Sequence, residues 1–192
     1  MKRTAKQARS KNTTQILLEA ASQVLVQQGY DRATTNRIAD RAGVSVGTLY
    51  RYFDDKEDIF RAVLEQIYLK LLQSITDSEP QPTLREHLNA YNVRLFAIFN
   101  DDPKLIQALE SLRSGPFQEQ RNQWRERIIT AFAVLLDPHS QEIAGDNIDV
   151  LARTVVCATE GLASSASSPA FQPEGFQSHL LRLQLSYLKA GI

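Results

Sequence analysis

The amino-acid sequence predicts an all-α fold, and three observations support this. Apolar residues recur at helical spacing through most of the 192 residues. Clusters of proline, glycine and aspartate divide the chain into segments whose lengths are typical of helices. Strand-like alternation of apolar and polar residues is essentially absent. We therefore expect about nine helices: three in a small N-terminal module, a long connecting helix, and five in a C-terminal body.

The first helix is expected to begin at Thr13 or Thr14 and to end at Gly29, with one apolar side. That side consists of Ile16, Leu17, Ala20, Ala21, Val24 and Leu25. Residues 1–12 carry five cations and no apolar stripe, which predicts a basic, flexible arm. The arm either contacts DNA phosphates or the minor groove, or is a solvated tail. Its cations are Lys2, Arg3, Lys6, Arg9 and Lys11.

Residues 34–53 predict a helix-turn-helix. Thr34 or Thr35 can cap a first short helix, and Gly43 follows it where a positive φ favours glycine. Ser45 can cap a second helix that runs to Phe53. An ordinary helical hairpin is the alternative, but polar and aromatic residues on the outward side of the second helix favour DNA recognition. These are Ser45, Val46, Gly47, Thr48, Tyr50, Arg51 and Tyr52.

The sequence predicts six more helices after the helix-turn-helix. Asp54 or Asp55 can cap a long helix that ends near Pro80 and Pro82. The segments expected to follow span residues 83–100, 103–113, 116–136, 147–167 and 173–190. The expected boundaries give the arm at 1–12, a helix-turn-helix domain at 13–56, and a helical body at 57–192.

The charge distribution supports a nucleic-acid partner. The whole chain is neutral, with 22 basic and 22 acidic residues. Residues 1–53 nevertheless hold nine cations and three acids, a balance of +6, so the remaining thirteen cations and nineteen acids balance at −6. A basic module joined to an acidic body is typical of a nucleic-acid-binding protein whose second part has another role.

Composition and motifs argue against an enzyme. Cys157 is the single cysteine, which excludes an intramolecular disulfide and a cysteine zinc cluster, and we expect it to be a buried, inert thiol. His87, His139 and His179 are far apart in sequence, and no familiar catalytic or phosphate-binding motif occurs. We expect no catalytic residue, metal or cofactor. Without a signal peptide or a long apolar run, a cytoplasmic location is expected and no membrane partner.

The N-terminal residues resemble the signature of TetR/AcrR-type transcriptional regulators. The resemblance covers about residues 13–60, and many of its elements are in register. These are Gly29-Tyr30, Thr34-Thr35, Ile38-Ala39, Ala42-Gly43-Val44-Ser45, Gly47-Thr48-Leu49-Tyr50, Tyr52-Phe53 and Lys56. The rest of the chain agrees with the family only in length, helix count and the connecting helix.

The resemblance implies a homodimeric repressor that binds a double-stranded DNA operator and whose body binds a small molecule. It implies phosphate contacts for Thr35, Tyr50, Tyr52 and Lys56, and a groove-facing position for Ser45, Val46, Gly47, Thr48 and Arg51. Thr34 and Arg37 complete the expected DNA-binding set. Arg51 is suited to a bidentate contact with guanine, although a phosphate contact is an equal alternative.

The resemblance also places the dimer surface on the final two helices and the effector pocket in the body. We expect Tyr68, Tyr91, Phe96, Phe99, Arg113 and Trp124 to line that pocket. Asn92, Arg94, Gln123 or His87 could add polarity to it. Aromatic residues at helical spacing also serve simply as core filler, and the final helices could simply complete the monomer core. A DNA-binding protein without a small-molecule effector is the alternative function; a purely structural helical module is disfavoured by the motif and the charge split.

Overall fold

The prediction of an all-α fold is confirmed. The structure is a computed structural model that describes residues 2–113, 115–145, 147–165 and 175–190. Within these ranges there are nine α-helices and no strand. The helices are α1 Lys2–Arg32, α2 Thr35–Ala42, α3 Val46–Leu49, α4 Lys56–Thr76, α5 Leu84–Asp101, α6 Pro103–Ala108, α7 Gln118–Leu136, α8 Ile148–Ser165 and α9 Phe176–Ala190. Short 3₁₀ turns occupy Leu109–Leu112, Gly115–Phe117 and Asp137–Glu142.

The first helix begins earlier than predicted. The structure continues α1 back to Lys2, whereas the sequence suggested a flexible arm before Thr13. Residues 2–28 contain neither glycine nor proline and are rich in alanine, lysine, arginine and glutamine, all good helix formers. Thr14 does not act as a cap, because its hydroxyl donates to the carbonyl of Ser10 one turn earlier. The side chains of residues 1–9 lie outside the described part of the structure.

Helix caps follow the sequence closely in the rest of the chain. Asp55 caps α4, since its Oδ1 accepts from the Asp58 amide at 2.8 Å. Thr83 caps α5, because its hydroxyl accepts from the Glu86 amide at 3.3 Å and donates to the Glu86 carboxylate at 2.8 Å. The predicted 103–113 segment divides into α6 and a 3₁₀ turn. The predicted 116–136 segment likewise starts as a 3₁₀ turn before α7.

The first compact unit comprises residues 1–67 and 104–120. Its buried residues are apolar, and Phe60 and Phe117 are among the largest fully buried side chains. The rings of both make edge-to-face contacts with Tyr30, at centroid distances of 5.5 and 5.1 Å. Arg61 donates to the carbonyl of Pro116 at 3.1 Å. Residues 104–120 are therefore attached to α1 and α4, although the sequence suggested that they belong to the body.

The second compact unit comprises residues 68–103 and 121–192. Its apolar core draws on α5, α7, α8 and α9. The units divide within α4, between Ile67 and Tyr68, and not at the expected position after residue 56. The difference has a physical reason, because the first turns of α4 bury Ile59, Phe60, Val63 and Leu64 completely or nearly so.

The last two helices both contribute to the core of the second unit. Val155 of α8 and Leu180, Leu185 and Leu188 of α9 are buried there. Val150 of α8 and Leu183 of α9 stay 54% and 42% exposed. The final two helices therefore complete the core and also leave exposed apolar side chains.

Cys157 differs from its predicted environment. Its thiol is exposed on α8 and not buried, because the core-facing positions of this helix are Ala152, Val155, Val156 and Thr159. Among the described helices, none is both long and apolar enough to cross a membrane.

Candidate DNA-binding interface

The helix-turn-helix forms with the predicted caps. The Thr34 side chain accepts from the Arg37 amide at 3.3 Å and so starts α2. Gly43 ends that helix at φ 68° and ψ 29°, in the left-handed region that favours glycine. Ser45 then caps α3, since its Oγ accepts from the Thr48 amide at 3.1 Å. Ile38 and Leu49 are fully buried and anchor the two helices on the core.

The second helix of this motif is shorter than predicted. Regular α-helix ends at Leu49, and residues 50–52 continue as turns up to Phe53. The amides of Arg51 and Tyr52 donate three residues back, to Thr48 and Leu49, as in a 3₁₀ helix. Phe53 is 6% exposed and fixes the end of the segment on the core.

The outward side of this segment is available to a partner. Ser45, Val46, Gly47, Tyr50 and Arg51 are exposed, while Thr48 and Tyr52 are half-buried. No residue in the described part of the chain accepts a hydrogen bond from the Arg51 guanidinium. Its five donors can therefore serve an acceptor outside the chain, such as a guanine edge or a phosphate.

Two predicted phosphate-contacting residues bind each other. The hydroxyls of Thr35 and Tyr50 are 3.1 Å apart, and this bond joins the start of α2 to the end of α3. Each hydroxyl retains hydrogen-bonding capacity for a second partner. The pair can therefore present two neighbouring hydroxyls to one stretch of DNA backbone.

Two arginines of α2 are directed back to α1. Arg37 donates to the Gln28 side chain at 2.5 Å and to the carbonyl of Arg32 at 2.6 Å. Arg41 donates to the Gln27 side chain. Both arginines remain exposed. The structure thus gives Arg37 a role in holding α2 on α1, which the sequence did not suggest.

Lys56 lies at the start of α4 and contacts Tyr30. Its ammonium donates to the Tyr30 carbonyl at 3.1 Å and sits 4.0 Å from the centre of the Tyr30 ring. Burial raises the pKa of the Tyr30 phenol, and the carboxylates of Glu57 and Asp55 raise it further. The two contacts with Tyr30 hold the Lys56 ammonium in one position, and two of its three donors remain for other partners.

The predicted effector-binding residues do not all lie together. The second unit contains five of them, and the rings of Tyr68 and Trp124 stack at 5.6 Å with 6° between their planes. Tyr91 contacts Phe132 edge-on at 5.3 Å, and burial raises the pKa of its phenol well above the usual range. Phe96 contacts both Phe99 and Phe176. Arg113 belongs to the first unit and pairs with Glu110 at 2.7 Å.

Two buried polar clusters of the second unit were only partly foreseen. Asn92 and Gln184 are both fully buried and exchange two hydrogen bonds, at 2.8 and 3.3 Å. The sequence indicated Asn92 as a polar candidate, but Gln184 is 92 residues away and carried no signal.

The second cluster joins two histidines and a glutamate. His87 Nδ1 lies 2.9 Å from His139 Nε2, and His139 Nδ1 lies 3.3 Å from Glu142. The same Glu142 carboxylate accepts from the Leu84 amide at 2.7 Å, and this bond, with Lys189, lowers the pKa of Glu142. Burial, the adjacent His139 and the charge of Arg94 lower the pKa of His87.

Comparison with known proteins agrees with the motif and the fold. Residues 17–63 match the model of the tetR family of bacterial regulatory proteins. The nucleoid occlusion factor SlmA of Haemophilus influenzae (strain Rd) is 31% identical over 170 residues, which cover 83% of this chain and 75% of that protein. YhgD of Bacillus subtilis, an uncharacterized HTH-type transcriptional regulator, is 35% identical over 83 residues. That alignment covers 43% of this chain and spans 42% of YhgD, less than half of its length.

A solved structure supports the fold over nearly the whole chain. The fatty acid degradation regulator FadR from Bacillus halodurans superposes with a TM-score of 0.77 at 19% identity, covering 90% of this chain and 94% of FadR. The family model, the 31% identity to SlmA over most of both chains, and the helix-turn-helix agree with one another. The chain therefore belongs to the tetR family of bacterial regulatory proteins and is a DNA-binding transcriptional regulator.

Proposed function

We propose that this chain is a homodimeric repressor that binds a palindromic operator and is released from it by a small molecule. The exposed side of the 45–52 segment carries the DNA part of the proposal, because its Arg51 guanidinium bonds to no described residue. The DNA-contacting residues are Thr34, Thr35, Ser45, Val46, Gly47, Thr48, Tyr50, Arg51, Tyr52 and Lys56. Arg37 has a positioning role in this proposal because its guanidinium is bound to α1.

We infer dimerisation from the small number of base pairs that one recognition segment can contact. A four-residue helix and the turn after it contact too few base pairs for useful specificity, so two half-sites are needed. The exposed apolar side chains of Val150 and Leu183, on α8 and α9, supply a surface for the second copy. Two-fold symmetry of the protein then predicts an inverted repeat in the DNA.

The second unit is the proposed effector-binding part. Five predicted aromatic residues and the buried polar pairs lie within it, and such a mixture is typical of small-molecule sites. α4 belongs to both units, so an effector that prefers one position of α4 would change the DNA-binding part. FadR, a similar structure, is named for fatty acid degradation, so compounds of fatty acid metabolism are the first to test.

A second candidate function has its own support. SlmA, which aligns with most of this chain, is named as a nucleoid occlusion factor. The second candidate is a DNA-binding protein without a small-molecule effector, controlled by protein partners or acting as an architectural factor. The polar groups inside the second unit favour the effector-controlled repressor over this alternative.

DNA selection followed by a release assay tests both parts. The full-length chain is used to select sequences from a random double-stranded pool, and two chains per inverted repeat are expected by analytical ultracentrifugation. The complex is then titrated with fatty acids of graded chain length, and Trp124 fluorescence and DNA anisotropy are recorded together, because Trp124 is the sole tryptophan.

Absence of an inverted repeat contradicts the dimeric repressor. A selected repeat that none of these compounds releases contradicts a fatty acid as effector, and DNA that stays bound through a wider metabolite screen favours the SlmA-like alternative.

A further inference from the structure

Lys56 is the single cation in an acidic segment. Asp54 and Asp55 precede it, and Glu57 and Asp58 follow it. An unrestrained lysine side chain is flexible and would pair with such neighbours, which would draw its charge away from a DNA phosphate. In this structure Lys56 makes no ion pair with any described residue, and its ammonium lies on the Tyr30 carbonyl and ring.

The neighbouring carboxylates are occupied locally. Asp55 caps α4 through the Asp58 amide, and Asp58 accepts from the Asp54 amide at 3.2 Å. Glu57 pairs with Arg61 at 3.4 Å. These contacts keep three of the four acids engaged with other groups. The Tyr30 ring completes the arrangement, since its π face attracts the ammonium from outside the acidic segment.

We propose that Tyr30 is a positioning residue that holds the Lys56 ammonium for a DNA phosphate. The proposal rests on the proposed function, since it assumes that Lys56 contacts the DNA backbone. Tyr30 accepts one of the three ammonium donors, and the remaining two are directed to the phosphate. Tyr30 itself does not touch DNA in this arrangement.

Two buried rings hold Tyr30 in place. Phe60 of α4 and Phe117 of the Gly115–Phe117 turn contact its ring edge-to-face, and both are at most 1% exposed. Phe117 comes from residues 104–120, far along the chain from Lys56. The position of the Lys56 ammonium therefore depends on the Tyr30 ring. The position of that ring depends in turn on Phe117, which belongs to a later part of the chain.

A double-mutant cycle on the full-length protein tests the proposal. Tyr30→Leu removes the π face but keeps an apolar side chain, and Lys56→Met removes the charge. DNA affinity is measured by anisotropy on one selected operator at several salt concentrations, and thermal unfolding of each variant checks that it is folded. Tyr30→Phe keeps the ring, and Lys70→Met is the matched control, because Lys70 is an exposed lysine in the same helix that pairs with Asp101.

We expect Lys56→Met to lower the salt slope by about 0.9 for each DNA phosphate that the lysine neutralises in the wild type. Tyr30→Leu should weaken binding about twofold to fivefold per half-site and lower the slope in the same direction. Its effect should vanish in the Lys56→Met background, because Tyr30 acts on DNA binding only through the Lys56 ammonium. Tyr30→Phe and Lys70→Met should resemble the wild type. Phe117→Leu should shift the slope in the same direction as Tyr30→Leu and be silent without Lys56.

The possible failures are distinct. If Lys56→Met leaves the slope unchanged, Lys56 binds no phosphate, and both that part of the proposed function and the role of Tyr30 are wrong. If Lys56→Met lowers the slope but Tyr30→Leu does not, only the role of Tyr30 is wrong. If Tyr30→Leu weakens binding equally with and without Lys56, its effect is a general loss of structure and the positioning role is overturned.

Discussion

The two compact units handle their polar residues in opposite ways. All six buried polar residues of the described chain lie in the second unit: Ser74, His87, Asn92, His139, Thr159 and Gln184. The buried residues of the first unit are apolar, and its functional polar side chains lie at or near the surface. Burial of a polar group costs free energy unless it is paired, so this difference is not neutral for folding.

The difference agrees with the separate roles that we propose for the two units. A DNA duplex is too large to enter a protein, so the first unit needs a stable apolar core and an exposed, pre-organised set of donors. The small-molecule effector of the proposed function would bind inside the second unit, where polar groups within the core would orient it. Substitution of an exposed residue in the first unit should therefore alter DNA binding alone. Substitution of a buried polar residue in the second unit should alter the free energy of unfolding.

Arg51→Ala is expected to have the largest effect on DNA recognition. Removal of a bidentate base contact should reduce discrimination between operator and scrambled DNA by roughly fivefold to a hundredfold per half-site. Thermal unfolding should not change, because Arg51 is exposed and no described residue bonds to its side chain. Lys56→Ala serves as the comparison, since it should weaken binding to both DNAs alike. Equal losses from Arg51→Ala on both DNAs would instead assign Arg51 to a phosphate.

Asn92→Leu tests the buried pair of the second unit. The substitution leaves the Gln184 amide buried without a partner and should lower the unfolding free energy by about 1–3 kcal/mol. The double change Asn92→Leu with Gln184→Leu should recover much of this loss, because no polar group then remains unpaired. Urea unfolding of the wild type, both single variants and the double variant provides the measurement. A double variant that is less stable than Asn92→Leu would show that packing, and not the unpaired amide, determines the loss.

Gly47→Ala separates folding from binding within the first unit. A Cβ at this position would meet only the Ser45 hydroxyl at 4.0 Å, and alanine favours a helix by about 1 kcal/mol. The variant should therefore be at least as stable as the wild type. Because nothing in the described chain requires a glycine here, we expect that close approach of DNA does, and that affinity falls about tenfold if the methyl group displaces the backbone. Unchanged affinity in anisotropy titrations would remove Gly47 from the contact surface.

Local sequence signals predicted the first unit and the helix ends. Thr34, Gly43, Ser45 and Asp55 act where their chemistry suggested, because a cap depends on residues within one turn of it. The same local reasoning failed at Thr13, since helix formers on each side of a possible cap let the helix continue.

Long-range contacts are what the sequence could not supply. Phe117 meets Tyr30 across 87 positions and Gln184 meets Asn92 across 92, and no periodicity encodes such pairings. The predicted domain boundary at residue 56 differs from the observed division for the same reason, because residues 104–120 join the first unit only through tertiary contacts. Cys157 is exposed because the other side of α8 is packed in the core. Its neighbours in the sequence are apolar, so the sequence did not show which side would be packed.

The His87–His139–Glu142 cluster predicts the smallest effect, a decrease of stability in mild acid. The Glu142 carboxylate fixes the proton of His139 on Nδ1, so His139 Nε2 accepts the Nδ1 proton of His87. An added proton must then enter at His87 Nε2, which is buried and has no partner in the described chain. Because the pKa of His87 is lowered in the folded state, the unfolded chain binds more protons below the ordinary histidine value of about 6.5.

The contribution of His87 to the free energy of unfolding should therefore be constant above that pH and should fall as the pH drops through and below it. His87→Gln, which cannot take up a proton, should lose less stability between pH 7 and pH 5 than the wild type. His179→Gln is the matched control, since His179 is an exposed histidine of α9 that lies outside the cluster. Thermal unfolding followed by circular dichroism at closely spaced pH values gives the comparison. Equal pH dependence in the His87 variant and the wild type would place the acid-sensitive group elsewhere.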